Sequence, residues 1–119
     1  MGDHRIEGGQ SAMAKLLKLR QPPTAVMASN DLTAIGMMRA IHAAGLHVPG
    51  DISVMGFDDI EISNFLQPPL TTIRVPRAEI GVSAFNALYA SSHRRGNNGT
   101  EYRISTELVI RQSTGLVKC

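Results

Sequence analysis

Three proline-marked breaks frame this chain. Gln21-Pro22-Pro23, Pro49-Gly50 and Pro68-Pro69 each close one stretch and are each followed by a short apolar run. Proline removes a backbone donor and fixes φ, so regular structure rarely continues through such a pair. The runs that follow, residues 24–28, 51–57 and 70–73, have the length of buried strands. Between them the apolar residues recur at helical spacing. Gly8-Gly9 reads as a turn signal that opens residues 10–20, which carry Met13, Leu16 and Leu17 on one side and so predict a helix that stops before the first proline pair. Ser29, Asn30 and Asp31 supply N-cap chemistry for a second helix running to Ala44, with Gly45 as its C′ residue. Residues 60–67 suit a single helical turn, and residues 77–93 repeat Ile80, Ala84, Ala87 and Leu88 at helical spacing. A polar Gly/Asn-rich loop follows at 94–100, and residues 101–111 read as one or two further strands.

The resulting alternation of helix and strand favours an α/β layered fold with a parallel sheet. Ligands in such sheets bind beyond the carboxyl ends of the strands. Two strand ends here concentrate polar chemistry, at Asn30-Asp31 and at Asp58-Asp59. Plain helix capping accounts for Asn30 and Asp31, and one residue can cap while its neighbour binds. Asn offers a donor and an acceptor, which suits a pair of neighbouring hydroxyls. Asp58 and Asp59 fit turn residues after a strand. Adjacent residues at a strand end point in different directions, which argues against a catalytic dyad. A single carboxylate accepting two hydroxyl hydrogen bonds is the better functional reading.

Composition narrows the alternatives. The 119 residues carry 43% apolar and 18% charged side chains, an ordinary globular balance that argues against disorder. A net charge of +2 leaves no strong nucleic-acid footprint, and the absence of Trp with 4% aromatics leaves no stacking platform for single strands. The one cysteine, Cys119, excludes a disulfide within the chain and a cysteine-rich zinc site. His4, His42, His47 and His93 show no metal-ligand spacing, and no nucleophile elbow, phosphate loop or dinucleotide motif is present, so no cofactor or metal is expected. Met37-Met38 fits a gap-filling core pair and Arg94-Arg95 a solvated step. No apolar run is long enough for a membrane span, and the polar first residues do not form a signal peptide, so a cytoplasmic location is expected.

Four segments in order, PPTAVMASNDLTAIGMMRAI, GLHVPGDISVMGFDD, PPLTTIRVPRAEIG and STELVIRQSTG, resemble the effector-binding domain of the LacI/GalR family of bacterial transcription regulators, from about Gly2 to Gly115. The resemblance implies a periplasmic-binding-protein-like fold, in which two α/β subdomains close on a small sugar-like effector. It implies that residues 1–119 form one partial effector-binding and dimerisation domain, mostly the C-terminal subdomain. No helix-turn-helix head lies in this chain, and operator DNA would be reached only through such a head.

Carried over residue by residue, Asn30 in SND and Asp58 in GFDD match the family's contacts to effector hydroxyls. His4 stands where an aromatic residue follows Gly-Asp and packs on the ligand ring; its imidazole has a flat face and polar edges. Val75 occupies a position that often carries a polar ligand contact. Arg77 stands at an often aromatic one, where a cation would favour an anionic effector. An ordinary surface role fits Arg77 and His4 as well. The family also implies a two-fold homodimer, for which Ile35, Met38, Phe65 and Leu66 are the candidates. A fragment of a periplasmic sugar-binding transport protein shares this fold and is the rival reading. A small α/β enzyme using Asp58 or Asp59 has no supporting motif, so the chain is expected not to be an enzyme.

Overall fold

The computed structural model describes residues 3–92 and 99–116. His93, the Arg94-Arg95 step, most of the expected 94–100 loop and Cys119 lie outside the described residues. The element order is α1 (Ile6–Leu16), β1 (Ala25–Met27), α2 (Asp31–Ala43), β2 (Ser53–Met55), a 3-10 turn (Glu61–Asn64), β3 (Thr72–Arg74), α3 (Arg77–Ser92) and β4 (Glu107–Val109). This is the predicted alternation, with shorter strands.

β1 and β2 pair in parallel in the register Ala25↔Ser53, Val26↔Val54 and Met27↔Met55. β3 continues beside β2 through parallel bridges at Met55↔Thr71 and Asp58↔Arg74. Ser113 lies between the two strands at the level of Val54 and Thr71. Its carbonyl accepts from Val54 N–H at 2.8 Å, while its Oγ donates to Val54 O at 2.6 Å and accepts from Thr71 N–H at 2.8 Å. The parallel sheet expected from the alternation thus runs through β1, β2 and the β3 bridges. β4 pairs antiparallel to β3, Ile73 opposite Leu108.

Residues 24–28 were also expected to be buried, yet Ala25 and Met27 of β1 are exposed. Among the described residues β1 pairs with β2 alone and so forms an edge.

The first helix begins and ends four residues earlier than its expected bounds, because Gly8-Gly9 serves packing rather than a turn. A Cβ on Gly9 would collide with the Thr33 carbonyl, and one on Gly36 with the Ile6 carbonyl. Two glycines facing across the crossing let α1 and α2 meet backbone to backbone. Met13, Ile41, Val54 and Leu70 form the centre of the core at 0% exposure, with Met37 and Met38 filling around them. The second helix follows its sequence signals closely: Asn30 caps it and Gly45, at φ 75°, ends it.

α3 behaves differently. None of its residues is buried, and the molecule extends 60 × 27 × 26 Å with a radius of gyration of 18.2 Å. A compact chain of this length would have a radius near ~13–14 Å. The α3 and β4 segments therefore project from a compact body made of α1, α2, β1 and β2.

Candidate functional site

Parallel pairing of β1 with β2, and the β3 bridges, place the carboxyl ends of three strands on one side of the molecule. The residues predicted for the site fall just beyond those ends. Asp31 N–H donates to Phe57 O at 2.8 Å, which ties the end of β1 to the end of β2. Asp58 N–H donates to Ile73 O at 2.9 Å, which ties the same region to β3.

At the first strand end the Asn30 carboxamide has two tasks. Its Oδ1 accepts from Thr33 N–H at 2.8 Å, the capping bond, and its Nδ2 donates to His4 O at 3.0 Å. The capping and site readings of Asn30 thus meet in one side chain, which retains a second N–H and a second lone pair. His4, exposed and at φ 58°, lies beside it, its Nδ1 at 3.1 Å from Ser29 Oγ. Sequence separates His4 from Asn30 by more than twenty residues, and the fold joins them.

At the second strand end Asp58 adopts φ 111° and Asp59 φ 51°. Such left-handed conformations are uncommon for non-glycine residues and persist where surrounding bonds hold them. Two successive left-handed residues send the two carboxylates different ways. That of Asp58, half-buried, takes no hydrogen bond or ion pair from the described residues. That of Asp59 is held by Arg74 Nε at 2.7 Å and Arg111 Nη2 at 2.6 Å. Burial raises the Asp59 carboxyl, and the hydrogen bonds and charges of Arg111 and Arg74 outweigh it, leaving the group below the usual carboxylate range. Arg111 also donates to Leu70 O at 2.8 Å, and Arg74 to Glu107 at 3.1 Å.

Val75 follows the β3 bridge residue Arg74 and is half-buried. Arg77 opens α3, exposed, its backbone N–H bonded to Val75 O at 2.8 Å. The structure thus brings His4 and Asn30 into direct contact and sets Asp58 and Val75 on adjacent strand ends, with Arg77 at the margin.

The dimer candidates divide. Phe65 is 71% exposed and Ile62 beside it 51%, whereas Met38 is 4% exposed. Met38 packs in the chain's own core, so it offers no surface to a partner and is dropped from that set. Ile35 and Leu66 are half-buried.

Sequence reasoning missed two hubs, the buried carboxylate of Asp31 and the Asp59–Arg74–Arg111 cluster. For Asp31 a signal existed: residues 31, 34, 38 and 41 share one helical face that is otherwise apolar. For Asp59 no local pattern pointed to two arginines, one of them some fifty positions away. Among the described residues, no group of three or more His, Cys, Asp or Glu could hold a metal ion, and no helix is long and apolar enough to cross a membrane.

A family model described as a periplasmic binding protein-like domain matches residues 2–114. The HTH-type transcriptional repressor CytR of Escherichia coli K12 is 42% identical over 113 residues, covering 95% of this chain and 33% of that protein. The chain therefore spans about a third of the length of the curated relatives it matches. Among solved structures, the lac repressor dimer bound to operator and the anti-inducer ONPF superposes with a TM-score of 0.87 at 36% identity, covering 95% of this chain and 39% of that one. A LacI family transcriptional regulator from Enterococcus faecium with bound ribose superposes with a TM-score of 0.82 at 32% identity, covering 96% of this chain and 42% of that one.

Proposed function

The chain belongs to the periplasmic binding protein-like domain family, in its LacI-type branch, and from that premise we propose that residues 1–119 are one part of an effector-sensing domain of a transcriptional repressor. The observation that carries the reading is the convergence of His4, Asn30 and Asp58 at the carboxyl ends of neighbouring strands, with the Asp58 carboxylate unpaired among the described residues.

The effector class is a small hydroxyl-rich molecule. A carboxylate accepting from two hydroxyls and a carboxamide offering a donor and an acceptor suit a sugar, and buried groups arranged for hydroxyls reject analogues that lack them. The imidazole of His4 stands as the flat wall. Arg77 at the margin favours an acidic or phosphorylated sugar over a neutral one, and Val75 adds an apolar contact. The relative structures with ribose or sucrose bound support this class. Relatives described as repressors support regulation over transport.

A regulator of this kind works in the cytoplasm and couples effector closure to operator DNA through a separate DNA-binding head. Its homodimer would use the exposed Phe65 with Ile35 and Leu66; Phe65→Glu is expected to shift sedimentation toward monomer.

Ligand binding stabilises the folded state by mass action, by about 2.7 kcal/mol at a hundredfold excess over Kd. The test is a thermal-shift screen against D-ribose, sucrose and sugar phosphates. A stabilising sugar whose effect disappears in Asp58→Ala and in Asn30→Ala is the expected result. A response that survives both substitutions would sink the site assignment.

A further inference from the structure

Asp31 is a carboxylate with no exposure at all. Such a group is tolerated only when its oxygens are fully met. Oδ2 accepts from the Ile60 backbone N–H at 2.9 Å and from Ser63 Oγ at 2.5 Å, while Oδ1 accepts from Thr72 Oγ1 at 2.6 Å. It also opens α2, where backbone N–H groups favour negative charge. A Cβ at residue 56 would collide with Asp31 Oδ1 and with the Leu70 side chain, so glycine there admits the carboxylate.

These partners are arranged around one turn. Phe57 O, which accepts from Asp31 N–H, and Ile60 N–H, which donates to Asp31 Oδ2, are its two ends. Between them lie the left-handed Asp58 and Asp59. Thr72 fastens the same carboxylate to β3, whose Ile73 carbonyl holds the Asp58 N–H. An apolar side chain of similar size would fill the space, but it would not fix both ends of a strained turn. Buried polar groups can specify one arrangement where apolar packing would allow several.

We propose that Asp31 is a positioning residue: without touching the effector, it clamps both ends of the 57–60 turn, sets the direction of the Asp58 carboxylate, and so sets the affinity for a hydroxyl-rich ligand. The inference rests on the reading of Asp58 as an effector contact.

The test uses the whole 119-residue chain, isotope-labelled for NMR, with D-ribose as the probe. In Asp31→Asn the amides of Asp58 and Ile60 are expected to exchange about tenfold or more faster, while those of Val54 and Ile41 keep their rates. D-ribose binding is expected to weaken about tenfold in the wild-type background and less than about twofold when Asp58 is already replaced by Asn. Uniformly faster exchange, or the same loss of affinity in both backgrounds, marks a merely structural role and overturns the proposal. A wild-type chain that responds neither to D-ribose nor to a sugar phosphate overturns the effector reading, while turn-selective exchange still decides the clamp on its own. Should Asp31→Asn not fold, Thr72→Val removes one donor and Thr72→Ser keeps it. Faster exchange at Asp58 in the first and native exchange in the second are expected, and equal behaviour of the two overturns the clamp.

Discussion

The body of the molecule and its projecting arm have similar apolar content and opposite fates. In the body, Met13, Ile41, Val54 and Leu70 reach 0% exposure because two glycines let α1 and α2 close on each other over the β1–β2 pair. In the arm, Phe85, Leu88 and Val82 remain 67%, 71% and 61% exposed, and the Phe85 and Tyr89 rings stack on each other at 6.3 Å. Helical periodicity in the sequence announces the helices of both regions. It says nothing about whether a second surface exists within the chain to cover them. Burial is a property of pairs of elements, and among the described residues no element covers α3 closely enough to bury any of its residues.

The largest expected effect follows from that contrast. Ile41→Ala empties a fully buried site and is expected to destabilise the chain by about 2–5 kcal/mol, through lost transfer energy and the cavity left behind. Leu88→Ala on the arm should stay within about 0.5 kcal/mol, as surface substitutions do. Urea unfolding of both variants measures the difference. Comparable losses would mean that α3 is packed in solution after all and that the contrast is mistaken.

The crossing itself is the next place to press. Gly36→Ala puts a methyl group against the Ile6 carbonyl, and neither backbone can yield without opening the α1–α2 contact. A loss of about 1–3 kcal/mol is expected, against a small gain for Gly81→Ala, whose Cβ would meet open space in the middle of α3. Thermal midpoints of the two variants should therefore move in opposite directions. A neutral Gly36→Ala would show that the helices are farther apart than described.

What was legible in the sequence was local or periodic. Asn30 as a cap, Gly45 as a helix end and the single turn near Glu61 all follow from the chemistry of a few neighbouring residues. The gathering of Asn30 and Asp58 at strand ends followed from alternation alone. Other features depended on distant partners. Gly8-Gly9 read as a break because the sequence does not show that Thr33 will lie against it. The antiparallel direction of β4 is set by its pairing with Thr72–Arg74 and is not written in its own residues. Met38 read as core from its own sequence and as a dimer contact from the resemblance, and its burial sides with the core. Asp59 read as half of a turn, since its partner Arg111 arrives from the far end of the chain.

That ion cluster is where body and arm are joined, and its contribution should be the smallest and the most sensitive to pH. Arg111, which follows β4, donates to Asp59 in the turn beyond β2, and Arg74 of β3 donates to the same carboxylate. Both pairs lie near the surface but Asp59 itself is only 10% exposed, so some of the interaction escapes solvent screening. Arg111→Met keeps much of the volume and removes one charge-assisted bond, for an expected loss of about 1–2 kcal/mol near pH 7. The sign of the pH dependence follows from the depressed Asp59 carboxyl. The unfolded chain takes up its proton near the ordinary value of about 4, while the folded chain does so only at lower pH. The stabilisation is therefore complete above that ordinary value and is lost as pH falls through the folded value. With Arg111 gone the depression shrinks, so the gap in stability between wild type and variant should narrow from about pH 6 to about pH 2.5. Urea midpoints at the two pH values measure it, and a gap of constant size would show that Arg111 stabilises through its bond to Leu70 O and its packing rather than through the charge of Asp59.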